Sequence, residues 1–499
     1  MKILNAIQLG QVDQQTLQEQ QISSWQLMER ASIQATQHIL EHMNKSVHQL
    51  IVLAGNRNNG GDGLSIAYHL ANSGFPVKVY LFNYAKYPSE ENAKNQKRLG
   101  QKRLVQVDEN TPFPKLHEHH IVIDAIFGVG LSRRLPKLVE KWVEHINASQ
   151  ARIFSIDVPS GLYVDRFPNP DEKVIQADRT FTFQLPKLPF LFASTASYAG
   201  DIEIVDIGLS KNALDRIEAN DHFLTRTSAK KILKKRDRFS HKGNYGHALL
   251  VGGSYGMSGS ICLAARACMR SGVGKTTCKV PRSTLDIIQQ NVPEAMVIPS
   301  EKTKYIDETQ DISPYDVIGI GVGISTKKNV LSAFSDHVRN ADQPMVIDAD
   351  GINCLAKDNQ LLYQLPKHSI LTPHPGEMNR LVPLSSDVFE RKQQLVDFAR
   401  EYELILVYKD AHTLITDGRM TYFNSTGNPG MASAGSGDVL TGVISGLLAQ
   451  AYTAVDAARL GVYVHGLAGD LAKREKGEMA MISSDIIEHL GAAFLKIRE

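Results

Sequence analysis

Cysteine is scarce: Cys262, Cys268, Cys278 and Cys354 are the four in 499 residues, and no two form a CxxC pair. That argues against a disulfide scaffold or a zinc framework and fits a reducing, cytoplasmic compartment. Net charge is nearly absent as well. Lys and Arg number 55 against 53 Asp and Glu, leaving +2, so no global field points to nucleic acid or a membrane surface. No apolar run reaches about 18 residues, so no membrane span is expected. The first thirteen residues lack the apolar core of a secretion signal. What is present is ordinary: 42% hydrophobic, 22% charged and 7% aromatic residues, which excludes disorder, collagen and coiled coil. At about 150 residues per domain, the length suits two to four domains.

Short apolar runs alternate with helix-like stretches, twice over. Strands are expected at 49–54, 77–82, 120–124, 152–157, 180–184 and 202–207, with helices at 16–43 and 62–73. The pattern breaks over 210–240, where Lys230, Lys231, Lys234, Lys235, Arg236 and Arg238 form a basic run of the kind found on solvated faces and linkers. A second series has strands at 247–252, 276–280, 316–320, 344–348, 368–371 and 404–408, then hairpin-like segments at 413–416 and 420–423 and a helix at 438–450. Such alternation predicts two α/β domains with mainly parallel sheets, divided near residue 215 to 225.

In an open parallel sheet, ligands bind beyond the carboxyl ends of the strands. Three such ends in the first half carry unusual loops. The first is Asn58-Asn59-Gly60-Gly61-Asp62-Gly63, which matches neither the dinucleotide nor the P-loop fingerprint. Its glycines and helix start suit an anion; by itself it also reads as a tight turn with Asp62 as helix N-cap. The second end runs from Asp124 through Gly128, Val129, Gly130, Leu131 and Ser132 to Arg133 and Arg134. The third is Asp157-Val158-Pro159-Ser160-Gly161. Polar groups on three strand tips predict a site.

With Leu27-Met28-Glu29-Arg30-Ala31, these loops resemble the NAD(P)H-hydrate epimerase family over roughly residues 10–215. Ser32 stands where that family often has Gly. The resemblance implies a Rossmann-like domain, residues 1–215, that interconverts the R and S forms of hydrated NADH or NADPH. It implies substrate contact by Asn58, Asn59, Gly60, Gly61 and Asp62, by Gly128 to Arg134, and by Asp157. It implies a potassium ion on Asn59, Asp124 and Ser160, all oxygen donors suited to a hard cation.

In the second half, Gly435-Ser436-Gly437-Asp438 opens an expected helix. Small residues leave N–H groups free to face an anion, and an Asp beside them can take a proton, as phosphoryl transfer needs. The plainer reading is an N-cap Asp after a glycine turn. Lys409, Asp410, Ala411, His412 and Thr413 turn out of one strand into the next, and His374 lies in a Pro-rich loop that could simply turn. Asp348 and Asp350 end a strand and could bind a metal or cap. A metal cluster at His117, Glu118, His119 and His120 is disfavoured, because adjacent strand residues face alternate sides. Cys262 and Cys268 on one expected helix read as core.

Residues 239–495 resemble the ADP- or ATP-dependent NAD(P)H-hydrate dehydratases of the ribokinase-like superfamily, through His241-Lys242-Gly243, Pro293-Glu294-Ala295-Met296, His374-Pro375-Gly376-Glu377 and the run from Asn428 to Gly442. The resemblance implies a dehydratase domain, residues 225–499. Substrate would contact Ser260 (where the family usually has Ala), Gly323, His374 and Asp438. Nucleotide would contact Lys409 to Thr413 and Gly437, with magnesium. Asp438 and Asp157 become the candidate catalytic carboxylates. The fused form resembles bacterial members, which implies ADP as phosphoryl donor. The whole would be a cytoplasmic, homo-oligomeric repair enzyme acting on hydrated NADH and NADPH, with no nucleic-acid or membrane partner. The rivals are a vitamin-type kinase fused to a nucleotide-binding domain, and a non-catalytic nucleotide sensor, which an intact Asp438 argues against.

Overall fold

Apolar residues fill every position from Leu50 to Ala54 and from Ile121 to Ile123, and all are buried. Strands buried on both faces belong in the middle of a parallel sheet covered by helices on each side. The computed structural model, which describes residues 1–43 and 49–499, builds that sheet. The chain divides into two compact units, residues 2–219 and residues 220–499 with Met1.

The first unit contains β1 (Gln49–Gly55), β2 (Val77–Phe82), β3 (Leu104–Val107), β4 (His120–Ala125), β5 (Arg152–Ile156), β6 (Arg179–Phe183) and β7 (Asp201–Val205). Their order is β3-β2-β1-β4-β5-β6-β7, with every neighbouring pair parallel. This is a doubly wound order whose switch point lies between β1 and β4. The expected helix at 16–43 is in fact two, Ala6–Gln20 and Ser24–Glu41, because Gln21 turns left-handed (φ 51°) and Ser23 caps the second. The helix after β1 starts at Asn58, not Asp62. Gly60 allows this: a Cβ there would lie 1.8 Å from the Gly55 carbonyl oxygen. Asp62 is therefore not the N-cap but a buried residue of the helix interior.

The second unit contains β8 (Asp221–Phe223), β9 (His247–Val251), β10 (Lys275–Val280), β11 (Met296–Pro299), β12 (Val317–Ile320), β13 (Met345–Ile347), β14 (Ile370–Leu371), β15 (Ile405–Tyr408), β16 (Leu414–Thr416) and β17 (Thr421–Phe423). They are ordered β8-β17-β16-β15-β14-β13-β12-β9-β10-β11, with β16 antiparallel to both its neighbours. The stretch at 210–240 is less irregular than expected. It holds helices Lys211–Arg216 and Arg226–Ile232 as well as β8. Helices Ser258–Arg270 and Ser436–Ala449 cross closely at Gly442, where a Cβ would meet the Ala264 carbonyl oxygen at 2.1 Å. Cys262 and Cys268 are buried, and all four cysteines are free. Among the described residues, no helix is long and apolar enough to cross a membrane.

Candidate active sites

A cavity of about 730 Å³ opens beyond the carboxyl ends of the first sheet. Asn58, Asn59 and Asp62 reach it from the β1 loop, Gly128 to Arg134 from the β4 loop, and Asp157 from the tip of β5. Gly60 and Gly61 do not line it: Gly60 presses on Gly55, and Gly61 on the Met28 side chain. Their contribution is close packing. Arg134 is held by Glu140 (2.6 Å) and Asp171 (2.5 Å), whereas Arg133 has no ion pair among the described residues. Tyr84 and Phe127 stack in the wall with ring centres 4.2 Å apart, an apolar surface for a planar ring.

Asp124 is fully buried below this wall, and its partners are all neutral donors. Ser160 Oγ reaches Oδ1 at 2.5 Å; Ser160 N–H and Ser155 Oγ reach Oδ2 at 2.7 and 3.0 Å. Burial pushes its carboxyl up. Asn59 closes the cluster, its amide donating to the Phe127 carbonyl at 2.7 Å. A buried carboxylate without a cation, flanked by hydroxyl, carbonyl and amide oxygens, is a donor set that fits potassium.

Asp157 leaves β5 in the left-handed region (φ 64°), a strained conformation for a residue with a side chain. The conformation is locked by a bond from its N–H to Phe181 O (2.8 Å). Its carboxylate accepts from Lys187 Nζ at 2.6 Å and from Phe183 N–H at 3.2 Å. Lys187 is itself buried, also donating to Thr182 and Phe183. Motif reading missed Lys187, and it missed Asp13 on helix Ala6–Gln20, which lines the same cavity. Asp13 is exposed and lines the cavity, where the protein around it displaces part of its water. That desolvation and the charge of Asp157 push its carboxyl up to about 6. Asp62 is pushed up too, by burial, Asp157 and Asp13.

In the second unit, helix Ser436–Ala449 begins at Gly435 in the left-handed conformation (φ 89°). Asp438 is the helix's third residue, not its N-cap, and Gly435 holds the cap position. The first N–H groups of a helix have no partner within it and present positive potential. Asp438 is pushed up to about 6 by burial and by Asp348, opposed by a hydrogen bond from Ser260 and by Lys409. Gly323 sits against Ser260, in the left-handed region (φ 61°). Ser260, Gly323 and Asp438 thus adjoin.

Lys409 Nζ lies 2.7 Å from Asp348 Oδ1 and 3.9 Å from Glu377. A Cβ on Gly437 would stand 3.4 Å from both Lys409 Nζ and Asp348 Oδ2, so the ammonium sits at the helix entrance. Thr441 donates to Asp348 Oδ2 at 2.8 Å. Both Asp348 oxygens are therefore engaged, and Lys409 helps hold its carboxyl low. Asp350 accepts from Ser325 N–H (2.7 Å). Neither aspartate holds the cap position of helix Asp350–Lys357, which is Ala349. His374 is more than a loop residue. It caps helix Pro375–Leu381, with Glu377 bonding back to it, and Glu377 in turn faces Lys409. His412 Nδ1 bonds Asn424 O (2.8 Å), bracing the turn after β15. Among the described residues, the His/Cys/Asp/Glu group with converging ligand atoms is His38, Glu41 and Glu203, not residues 117–120.

Comparison with known proteins agrees with this geometry. Residues 24–188 match the family described as YjeF-related protein N-terminus, and residues 248–491 match that described as NAD(P)H-hydrate dehydratase. The chain is 35% identical to the bifunctional NAD(P)H-hydrate repair enzyme Nnr of Moorella thermoacetica, over 100% of this chain and 98% of the relative. It is 32% identical to the enzyme of the same name from Coxiella burnetii, over 95% of each. Among solved structures, a ribokinase-like superfamily protein from Enterococcus faecalis matches with a TM-score of 0.51 and 26% identity, covering 57% of this chain and 99% of that one.

Proposed function

Because the chain belongs to the family of bifunctional NAD(P)H-hydrate repair enzymes, we propose that its two units divide that work. Residues 1–215 exchange the R and S epimers of hydrated NADH and NADPH, and residues 225–499 dehydrate the S epimer with ADP as phosphoryl donor. Hydroxide is a poor leaving group, so the dehydratase first converts it to a phosphate ester. Asp438, raised to about 6, takes the hydroxyl proton as a base matched to neutral pH. Lys409 and the first N–H groups of helix Ser436–Ala449 stabilise charge on the transferred phosphoryl. Loss of phosphate from C6, with a proton lost from C5 to solvent, then restores the double bond.

The observation that carries this reading is the approach of Lys409, Gly437 and Asp438 at one helix entrance. Magnesium would enter with the nucleotide's phosphates, where it would neutralise their charge. In the first unit, Asn59, Asp124 and Ser160 would hold a potassium ion, which would neutralise the buried Asp124 carboxylate. The enzyme is read as a cytoplasmic homo-oligomer. The test is chemically prepared hydrate epimers, with and without ADP, followed by the absorbance of reduced nicotinamide. Recovery of the whole mixture with ADP, giving AMP and phosphate, is expected. A stable phosphorylated product would overturn the dehydratase reading.

A further inference from the structure

Three carboxylates face the first cavity, and their surroundings separate their roles. Asp157 is bound through Oδ1 by Lys187 Nζ, Phe183 N–H and Thr182. Asp62 is buried within its helix. Asp13 lies open to the cavity and, among the described residues, makes no hydrogen bond or ion pair. Resting on the epimerase reading, we infer that Asp13 is the catalytic acid–base residue of epimerisation, exchanging one proton with the oxygen on C6 of the hydrated nicotinamide.

The chemistry balances without a co-reactant. The epimers differ only in which face of C6 carries the hydroxyl. The neutral Asp13 carboxyl gives its proton to that hydroxyl. The C6–O bond breaks, the N1 lone pair forms an N1=C6 iminium, and one water is released. Water then adds to the opposite face, the electron pair returns to N1, and the Asp13 carboxylate takes the proton back. Asp157, paired with Lys187, lines the cavity in which the cationic ring forms. The Tyr84–Phe127 stack offers a surface for the planar iminium.

The groups facing Asp13 are Asp157 and Lys187 beyond β5 and β6, Asp62 from the β1 loop helix, and, across the cavity, Arg57, Tyr84 and Arg133. Desolvation and Asp157 raise Asp13 to about 6, with Lys187 opposing. Both protonation states are then accessible near neutrality, as a group that gives and retakes a proton requires.

The test uses the full chain without ADP. Conversion of one purified epimer to the other is followed by chromatography across pH 5 to 8.5, with the spontaneous rate subtracted. Wild-type kcat/KM should fall about tenfold per pH unit above about 6, as the neutral acid is lost. Asp13→Asn should lower kcat by about 10² to 10⁴ with little change in KM, and should flatten that limb. Asp13→Glu should restore part of the rate and bring the limb back at a shifted midpoint. Exchange by Asp13→Asn at the wild-type rate and with the wild-type limb would overturn the proposal and leave the epimerase reading standing. Absence of exchange in the wild-type protein would remove the epimerase reading itself. If Asp13→Asn does not fold, Asp13→Glu decides: a midpoint identical to wild type refutes the role.

Discussion

Lys187 Nζ lies 2.6 Å from Asp157 Oδ1, and both groups are buried. The lysine is 2% exposed, so its charge cannot turn to water if Asp157 is removed. Asp157 also sits on a strained left-handed residue. The pair therefore fixes the direction of a carboxylate at the cavity wall. Lys187→Met should cost about 3–5 kcal/mol in folding stability, the usual result of stranding one buried charge. Adding Asp157→Asn should recover much of it, because no charge is then left unpaired. Urea unfolding of the single and double variants measures the coupling. A single variant as stable as wild type would mean that water reaches Asp157.

Asp124→Ala should abolish both the potassium dependence of epimer exchange and most of its rate. The carboxylate is buried among neutral donors, so it is the charge that would draw a cation to Asn59 and Ser160. The measurement is exchange rate against potassium, with an organic cation holding ionic strength constant. Full wild-type activity after exhaustive removal of potassium would count against the site.

Asp438→Asn should abolish ADP-dependent recovery, by about 10² to 10⁴, while sparing epimer exchange. Asn keeps the shape and can still accept the bond from Ser260. It cannot take a proton from a hydroxyl. ADP affinity should persist, since helix N–H groups and Lys409 remain. Recovery near the wild-type rate would reduce Asp438 to a structural residue. Loss of exchange and recovery together would show that the two activities are coupled.

His465 supplies a pH dependence of stability whose sign follows from burial. It is buried near Ser436, and desolvation lowers it to about 4. The folded form keeps the ring neutral, while the unfolded chain protonates it below about 6.5. The unfolded state thus binds more protons between these values, and stability falls as pH drops from 6.5 toward 4. A shift of this size is worth on the order of 3 kcal/mol. His465→Gln should flatten that limb in denaturation midpoints taken at pH 4.5 and 7. A variant that loses stability with acid as steeply as wild type would disprove the assignment.

The short edge strands show where local pattern runs out. Leu104–Val107 and Met296–Pro299 lie at sheet edges and are only partly buried. Without burial on both faces, they lack the continuous apolar run that marked β1 and β4. The helix starts were misjudged for a related reason. Asn58 and Ser436 begin helices inside glycine-rich segments that look like loops, because close backbone packing outweighs the low helix propensity of glycine.

The sequence alone determined two α/β halves, the strand tips that bear the loops, and most of the polar groups on them. These are local properties: runs of buried apolar residues, glycines where backbones touch, and acids at strand ends. What only the tertiary structure decided is which distant groups share an environment. Asp13 lies outside the expected helix at 16–43, and only the observed helix Ala6–Gln20 brings it to the cavity shared with Asp62 and Asp157. Lys187 belongs to no motif, and only the fold seals it against Asp157. Asp348 at its strand end could bind a metal or cap, and the fold sets it against Lys409, sixty-one residues on. Charge and desolvation act through space, and separation along the chain does not encode them.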